Sequence, residues 1–325
     1  MNLSTAAAPH IRTRDDVRKI MLDVIIALVP ATAFAVYLFG LKALVLILTC
    51  VVSAEAFEFF IMRFMRAKKE FRPDGSASVT GLLLGLNLSL AIVWWQAILG
   101  IVVAIGIAKH IFGGLGKNFW NPALIGRVFL VTSFPVHMTT WLTPFDLQTT
   151  ATPLMELKES ITQGGAAVTG ATSTGSYSIS EMFLGRIPGS IGEVSALLLL
   201  IGFAYLVIRK RIKIPVPAAF VGSVLLISWL FYLVNPLYGH PLYHIFGGGL
   251  MIGALFMATD MVTSPMTLKG QLIFGCGCGG ITMLIRYFGG FPEGVSFAIL
   301  IMNALVPLVD IFSRRKIFGA VKSNA

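Results

Sequence analysis

The chain has 325 residues, 56% of them hydrophobic and only 12% charged, with a mean hydropathy of +0.83; so little polar surface cannot coat a water-soluble domain, and the chain belongs in a lipid bilayer. Its formal net charge of +10 does not mark a nucleic-acid binder, because the lysines and arginines sit in short clusters between apolar stretches. Three cysteines, Cys50, Cys276 and Cys278, exclude a disulfide framework and a four-cysteine metal or iron–sulfur site built from this chain alone, so redox chemistry would need a borrowed cofactor.

A bilayer core about 30 Å thick needs about 20 apolar residues per helix. Residues 1–19 are polar and basic, and no signal peptide is expected there. Spans then fall at 20–40, 42–62, 78–91, 93–111 and 123–137, and again at 193–208, 216–234, 243–260, 271–286 and 294–312. The third and fifth are short, as half-helices or tilted segments would be. The expectation is an all-α polytopic membrane protein of about ten transmembrane helices. Five plus five spans place the two halves in opposite orientation, an inverted repeat around a pathway. Glycine breaks occur in both halves, at Gly81 and Gly85 and at Gly247 to Gly249, although close helix packing explains such glycines equally well.

Basic residues test the topology. One set of loops holds Arg12, Arg14, Arg18 and Lys19, then Arg63, Arg66, Lys68, Lys69 and Arg72, then Lys109 and Lys117, then Arg209, Lys210, Arg211 and Lys213, then Lys269 and the carboxy-terminal cluster from Arg314. The opposite set holds almost none, with only Lys158 and Arg186 in the long connection 138–192. The positive-inside rule therefore places both termini in the cytoplasm and that connection outside. The chain divides into a cytoplasmic segment 1–19, a first membrane half 20–137, the outer connection 138–192, a second membrane half 193–312 and a cytoplasmic tail 313–325.

The outer connection is rich in Thr, Ser, Gly and Ala, and its run from Gly164 to Gly175 would by composition be a flexible linker. Within it, Thr169-Gly170-Ala171-Thr172 resembles the Ser/Thr-Gly-Ala-Thr motif at which membrane subunits of the Rnf and sodium-pumping NADH:quinone reductase complexes are flavinylated. The run from Gly185 to Ser195, Gly-Arg-Ile-Pro-Gly-Ser-Ile-Gly-Glu-Val-Ser, is similar to another sequence of that family. So are Arg72 to Gly75, Val79 to Leu83, Asn121 to Arg127, Ala258 to Pro265, Phe291 to Phe297 and Asn303-Ala304. The matches cover nearly the whole chain, and its length suits the D subunit of the Rnf complex, with the B subunit of the quinone reductase as the alternative.

The resemblance implies that Thr172 carries FMN through a phosphoester, with Thr169 and Thr174 as neighbouring acceptors. It also implies a second, non-covalent riboflavin by analogy. It further implies that the complex exchanges electrons between ferredoxin and NAD while moving Na⁺ or H⁺, and that this chain is not catalytic alone. The expected partners are the membrane subunits A and E, the flavoprotein G, the peripheral subunits B and C, a flavin transferase and the bilayer. A solute channel or permease with inverted halves is the reading from a different class.

Ionisable residues at membrane depth ask for a partner or a purpose. Glu55 and Glu58 share a helix face and are expected to pair with Arg63 and Arg66, ion handling being the alternative. Arg127, just after Asn121-Pro122, would suit a phosphate or a reduced flavin at a helix amino terminus, or else a salt bridge with Asp260. Asp260 itself is either a cap before Pro265 or a flavin or ion contact. Cys276 and Cys278 are expected to face different ways on a packed helix rather than to act as a redox pair. His110 and His244 should be interfacial or packed, with no metal-ligand spacing, and Trp94, Trp95, Trp120 and Trp141 should form an aromatic belt.

Overall fold

A computed structural model describes residues 16–65, 73–146, 148–162, 177–193 and 195–314. The helices are α1 (Val17–Phe39), α2 (Leu41–Phe60), α3 (Ser76–Leu86), α4 (Trp94–Val102), α5 (Pro122–Ser133), α6 (Pro135–Thr139), α7 (Pro153–Thr162), α8 (Ile179–Leu184), α9 (Ala196–Ile208), α10 (Pro215–Val234), α11 (Pro241–Phe246), α12 (Leu250–Ile252), α13 (Leu268–Phe288) and α14 (Val295–Ser313). Helices α2, α4 and α12 run on through wider π turns at Ile61–Met65, Val103–Ile111 and Gly253–Met257. Two-residue strands β1 (Trp141–Leu142) and β2 (Thr149–Thr150) pair antiparallel.

Six of these helical runs are long and apolar enough to cross a bilayer: Val17–Phe39, Leu41–Met65, Trp94–Ile111, Pro215–Val234, Leu268–Phe288 and Val295–Ser313. Ser76–Leu86, Pro122–Ser133 and Ala196–Ile208 are apolar but shorter. Local chemistry sets these limits. Asp74 opens α3, its Oδ1 accepting from the Ser76 N–H at 2.9 Å and the Ser76 hydroxyl at 2.5 Å. Asn121 caps α5, its Oδ1 accepting from the Ala123 N–H at 3.0 Å, with Pro122 in the first turn where its missing N–H costs nothing. The eighth predicted span is broken: α11 stops at Gly247 and α12 resumes at Leu250.

Packing repeats between the halves. In the first, α2 packs on α3 and α4, and α4 on α5; in the second, α10 packs on α11 and α13, and α13 on α14. The first helix of each half meets its counterpart, α1 on α9, and so does the last, α5 on α14. The same order of contacts thus recurs in the two halves. Between the halves lies 138–192, whose described residues include the β1–β2 hairpin, α7 and α8. Thr152 caps α7 through the Met155 N–H at 3.3 Å, and Ser178 with Glu181 forms a capping box on α8.

Several side chains depart from expectation. Glu58 pairs with Lys109 and His110 of the fourth span rather than with Arg63, Arg66 lies outside the described residues, and Glu55 Oε1 accepts from the N–H and hydroxyl of Ser78 at 3.0 and 2.5 Å. Lys109, expected in a loop, is 2% exposed. Trp141 is buried within β1 instead of lying in a belt, whereas Trp94 and Trp95 are exposed at the start of α4. Cys278 is buried and Cys276 exposed, facing apart as expected. His244 is packed, its Nε2 lying 2.9 Å from the Tyr238 carbonyl and 3.2 Å from the Tyr287 hydroxyl.

The α1–α9 contact depends on Gly202, where an added Cβ would collide with the Ala27 carbonyl oxygen. Gly202→Val should therefore lower thermal stability in detergent by about 1–3 kcal/mol, while Gly222→Ala, which faces open space, should leave it unchanged. Equal melting of the two variants would contradict this packing.

Candidate functional site

Two clusters of buried charge lie at opposite ends of the bundle. On the side of 138–192, α5 carries Arg127 into the interior, where the residue is 3% exposed. A guanidinium there must be both neutralised and hydrogen-bonded. Its Nη1 donates to Asn87 Oδ1 at 3.2 Å, at the end of α3, and to Ser296 Oγ at 2.9 Å, in the first turn of α14. Its Nη2 bonds Glu293 Oε2 in the α13–α14 turn and lies 3.6 Å from Glu193 Oε1, just before α9. Arg127 thus ties together segments from both halves.

The surrounding backbone is shaped to admit this group. The turn carrying Glu193 is pinned to the end of α3, the Ile191 N–H donating to the Leu88 carbonyl at 3.1 Å and the Gly192 N–H to Leu86 at 2.6 Å. The glycine break of the eighth span faces it: a Cβ on Gly249 would stand 2.7 Å from Glu193 Oε1 and 3.3 Å from Arg127 Nη1. Arg286 of α13 satisfies the carbonyls exposed by the break. It donates to His244 at 2.5 Å, Gly247 at 3.1 Å and Glu293 at 3.0 Å. Irregular backbone at this depth needs such internal donors, because lipid supplies none.

Above Arg127 opens a cavity of about 340 Å³, large enough for part of a small ligand. Arg127, Met138, Trp141, Lys158, Phe291 and Phe297 are among its walls. Lys158 of α7 binds the Gly289 carbonyl and donates to Phe291 O at 3.0 Å, so α7 is latched onto the α13–α14 turn. Loss of hydration at this site holds the Lys158 ammonium below the usual lysine pKa.

At the opposite end a smaller cavity of about 120 Å³ is bordered by Lys109, Asn118, Asn121, Arg211 and Asp260. Lys109 Nζ lies 2.5 Å from Glu58 Oε1 and donates to Ser76 Oγ at 2.6 Å, while His110 Nε2 lies 3.1 Å from the same carboxylate. Nearby, Asp23 of α1 accepts from Tyr205 Oη at 3.1 Å, Arg209 Nη2 at 3.3 Å and Arg211 Nε at 2.7 Å, tying α1 to the end of α9.

The residues singled out from sequence separate accordingly. Arg127 lines the larger cavity, and Asn121 and Asp260 line the smaller one. Asn121 Nδ2 donates to the Met257 carbonyl at 3.2 Å. Asp260 caps its own turn, accepting from the Val262 N–H at 3.3 Å and Thr263 Oγ1 at 3.2 Å. The salt bridge of Arg127 is with Glu293 and Glu193, not with Asp260. Thr172, with Thr169 and Thr174, lies outside the described residues. The carboxylates that hold Arg127 were not singled out as its partners from sequence, although both stand inside stretches matched to the family.

Arg127→Met would leave buried Glu193 and half-buried Glu293 without their cation and should cost about 3–5 kcal/mol. Adding Glu293→Gln should recover part of that loss in a thermal melt of the purified protein; a double variant no more stable than the single one would contradict the pairing.

Comparison with known proteins agrees with this architecture. The profile of the NQR2, RnfD, RnfE family matches residues 4–319. The chain is 45% identical over 319 residues to the D subunit of the proton-translocating ferredoxin:NAD(+) oxidoreductase complex of Clostridium ljungdahlii, covering 97% of this chain and 95% of that one. It is 44% identical over 327 residues to the D subunit of the Na(+)-translocating ferredoxin:NAD(+) oxidoreductase complex of Acetobacterium woodii, covering 99% and 97%. To the D subunit of the ion-translocating oxidoreductase complex of Stutzerimonas stutzeri it is 40% identical over 329 residues, covering 94% and 93%. With a family match across nearly its whole length and the all-helical membrane body described above, the chain belongs to the NQR2, RnfD, RnfE family.

Proposed function

We propose that this chain is a membrane subunit of an ion-translocating electron-transport complex, carries FMN esterified to Thr172, and helps to couple electron transfer between ferredoxin and NAD to movement of Na⁺ or H⁺. The observation that carries the reading is its near full-length similarity to proteins named for that activity. The partners in this reading are the membrane subunits A and E, the flavoprotein G and the peripheral subunits B and C, with a flavin transferase acting on Thr172. Both termini are cytoplasmic, and 138–192 is the outer connection between the membrane halves 20–137 and 193–312.

The larger cavity suits the ring of such a flavin. Trp141, Phe291 and Phe297 give it flat apolar walls, and Arg127 and Lys158 bring positive charge to its rim. Thr172 is ten residues beyond Thr162, the last residue of α7, and a fully extended chain of that length reaches at most about 35 Å. A phosphoester on that segment would keep the ring at high effective concentration beside the cavity. Bound there, a flavin supplies one- and two-electron chemistry. Arg127 favours added negative charge next to it, and Trp141 and Met138 limit the access of water.

Co-expression with a flavin transferase tests the attachment. After denaturing electrophoresis the chain should fluoresce under ultraviolet light, and Thr172→Ala should abolish the band while Thr174→Ala keeps it. A band that survives Thr172→Ala would remove the assignment. A colourless native protein showing facilitated solute flux would favour a channel.

A further inference from the structure

Glu193 is the least satisfied member of the Arg127 cluster. Its Oε1 is buried without a hydrogen-bond partner, and so is the hydroxyl oxygen of Ser190 in the same turn. Its Oε2 accepts a long hydrogen bond of 3.3 Å from the Ser190 N–H. Charged groups face it from three elements: Arg127 of α5 at 3.6 Å, Glu293 of the α13–α14 turn on the same guanidinium nitrogen, and Arg286 of α13, whose charge both glutamates feel. The eighth span brings Gly249 against its Oε1. Arg127 gives both Nη1 hydrogens to Asn87 and Ser296 and turns Nη2 to Glu293. Glu193 therefore receives the field of the guanidinium but no hydrogen bond from it. Arg286 spends its donors on three carbonyls.

A buried carboxylate whose hydrogen bonds come from Ser190 alone is poorly compensated, and a proton on it removes the deficit. We infer that Glu193 holds an exchangeable proton at Oε1, and that Arg127 shares its charge between Glu193 and Glu293 according to whether that proton is present. Glu193 as a carboxylate plus one proton gives Glu193 as the neutral acid, and the proton comes from water in the larger cavity, onto which Glu293 opens with 17% of its side chain exposed. The acid form places an O–H donor in a turn where the Ser190 hydroxyl and Glu193 Oε1 are otherwise unpaired. A metal cation does not suit the place, because two guanidinium groups lie beside it. That this proton moves with electron transfer rests on the functional reading above.

Infrared difference spectroscopy of the purified, flavin-loaded complex reads the proton directly, first between two pH values and then between oxidised and chemically reduced protein. A carboxylic-acid carbonyl band that shifts in ²H₂O should appear in both spectra, be lost in Glu193→Gln and return, displaced, in Glu193→Asp. If Glu193→Gln does not assemble, ¹³C-glutamate labelling of the unaltered protein should shift the same band. Absence of the band, its persistence in Glu193→Gln, or its removal by Na⁺ at constant pH would overturn the assignment. The flavin fluorescence that tests attachment at Thr172 is read separately, and the pH-difference band does not depend on it.

Discussion

A guanidinium buried in the membrane body, that of Arg127, constrains the rest of this protein. Removing such a charge from water costs several kcal/mol unless every hydrogen finds an acceptor and the charge finds a counter-charge. No single helix can supply both. Asn87 comes from α3, Glu193 from the turn before α9, and Glu293 and Ser296 from the α13–α14 junction. Short α5 and α3 place donor and acceptor at the same depth, and the break at Gly247 to Gly249 leaves room for them. The carbonyls freed by that break call in turn for Arg286.

The same logic acts at the other end of the bundle. Lys109, Glu58 and His110 join the second and fourth spans, and Asp23 with Arg209 and Arg211 joins the first span to the sixth. Between the two charged ends the contacts are apolar and close, as at Gly202 against Ala27. The fold is thus fastened by polar clusters at its two ends and by small-residue packing between them. Each cluster borders a cavity, so the fastenings also shape the places where a ligand can sit.

The six long apolar helices and the shorter Ser76–Leu86, Pro122–Ser133 and Ala196–Ile208 were legible in sequence because hydropathy is a local property and the bilayer sets a fixed length. The short third and fifth spans and the glycines of the eighth could be read in the same way. Partners were not. Arg127 and Glu293 are 166 residues apart, and Glu58 and Lys109 are 51 apart, so neither pairing leaves a periodic trace; nearby Arg63 made the wrong local partner attractive. Helix α8 was not read from the sequence, although Ser178 and Glu181 carry a capping box that could have been found. Lys109 was misplaced because a lysine near the end of a hydrophobic run looks like a loop residue, whereas here the run continues through a π turn. Thr172 was reached by resemblance to a family motif.

In the resulting account, a tethered redox group docks over a buried arginine whose two carboxylates answer to the charge above them. Electron transfer on the outer face is then felt by residues that hold both halves of the bundle. An electron cryo-microscopy map of the intact, flavin-loaded complex tests this claim most directly. The account predicts isoalloxazine density in the cavity between Arg127, Trp141, Lys158 and Phe291, continuous with Thr172. A covalent flavin docked away from that cavity, with the cavity filled by side chains or lipid, would contradict it.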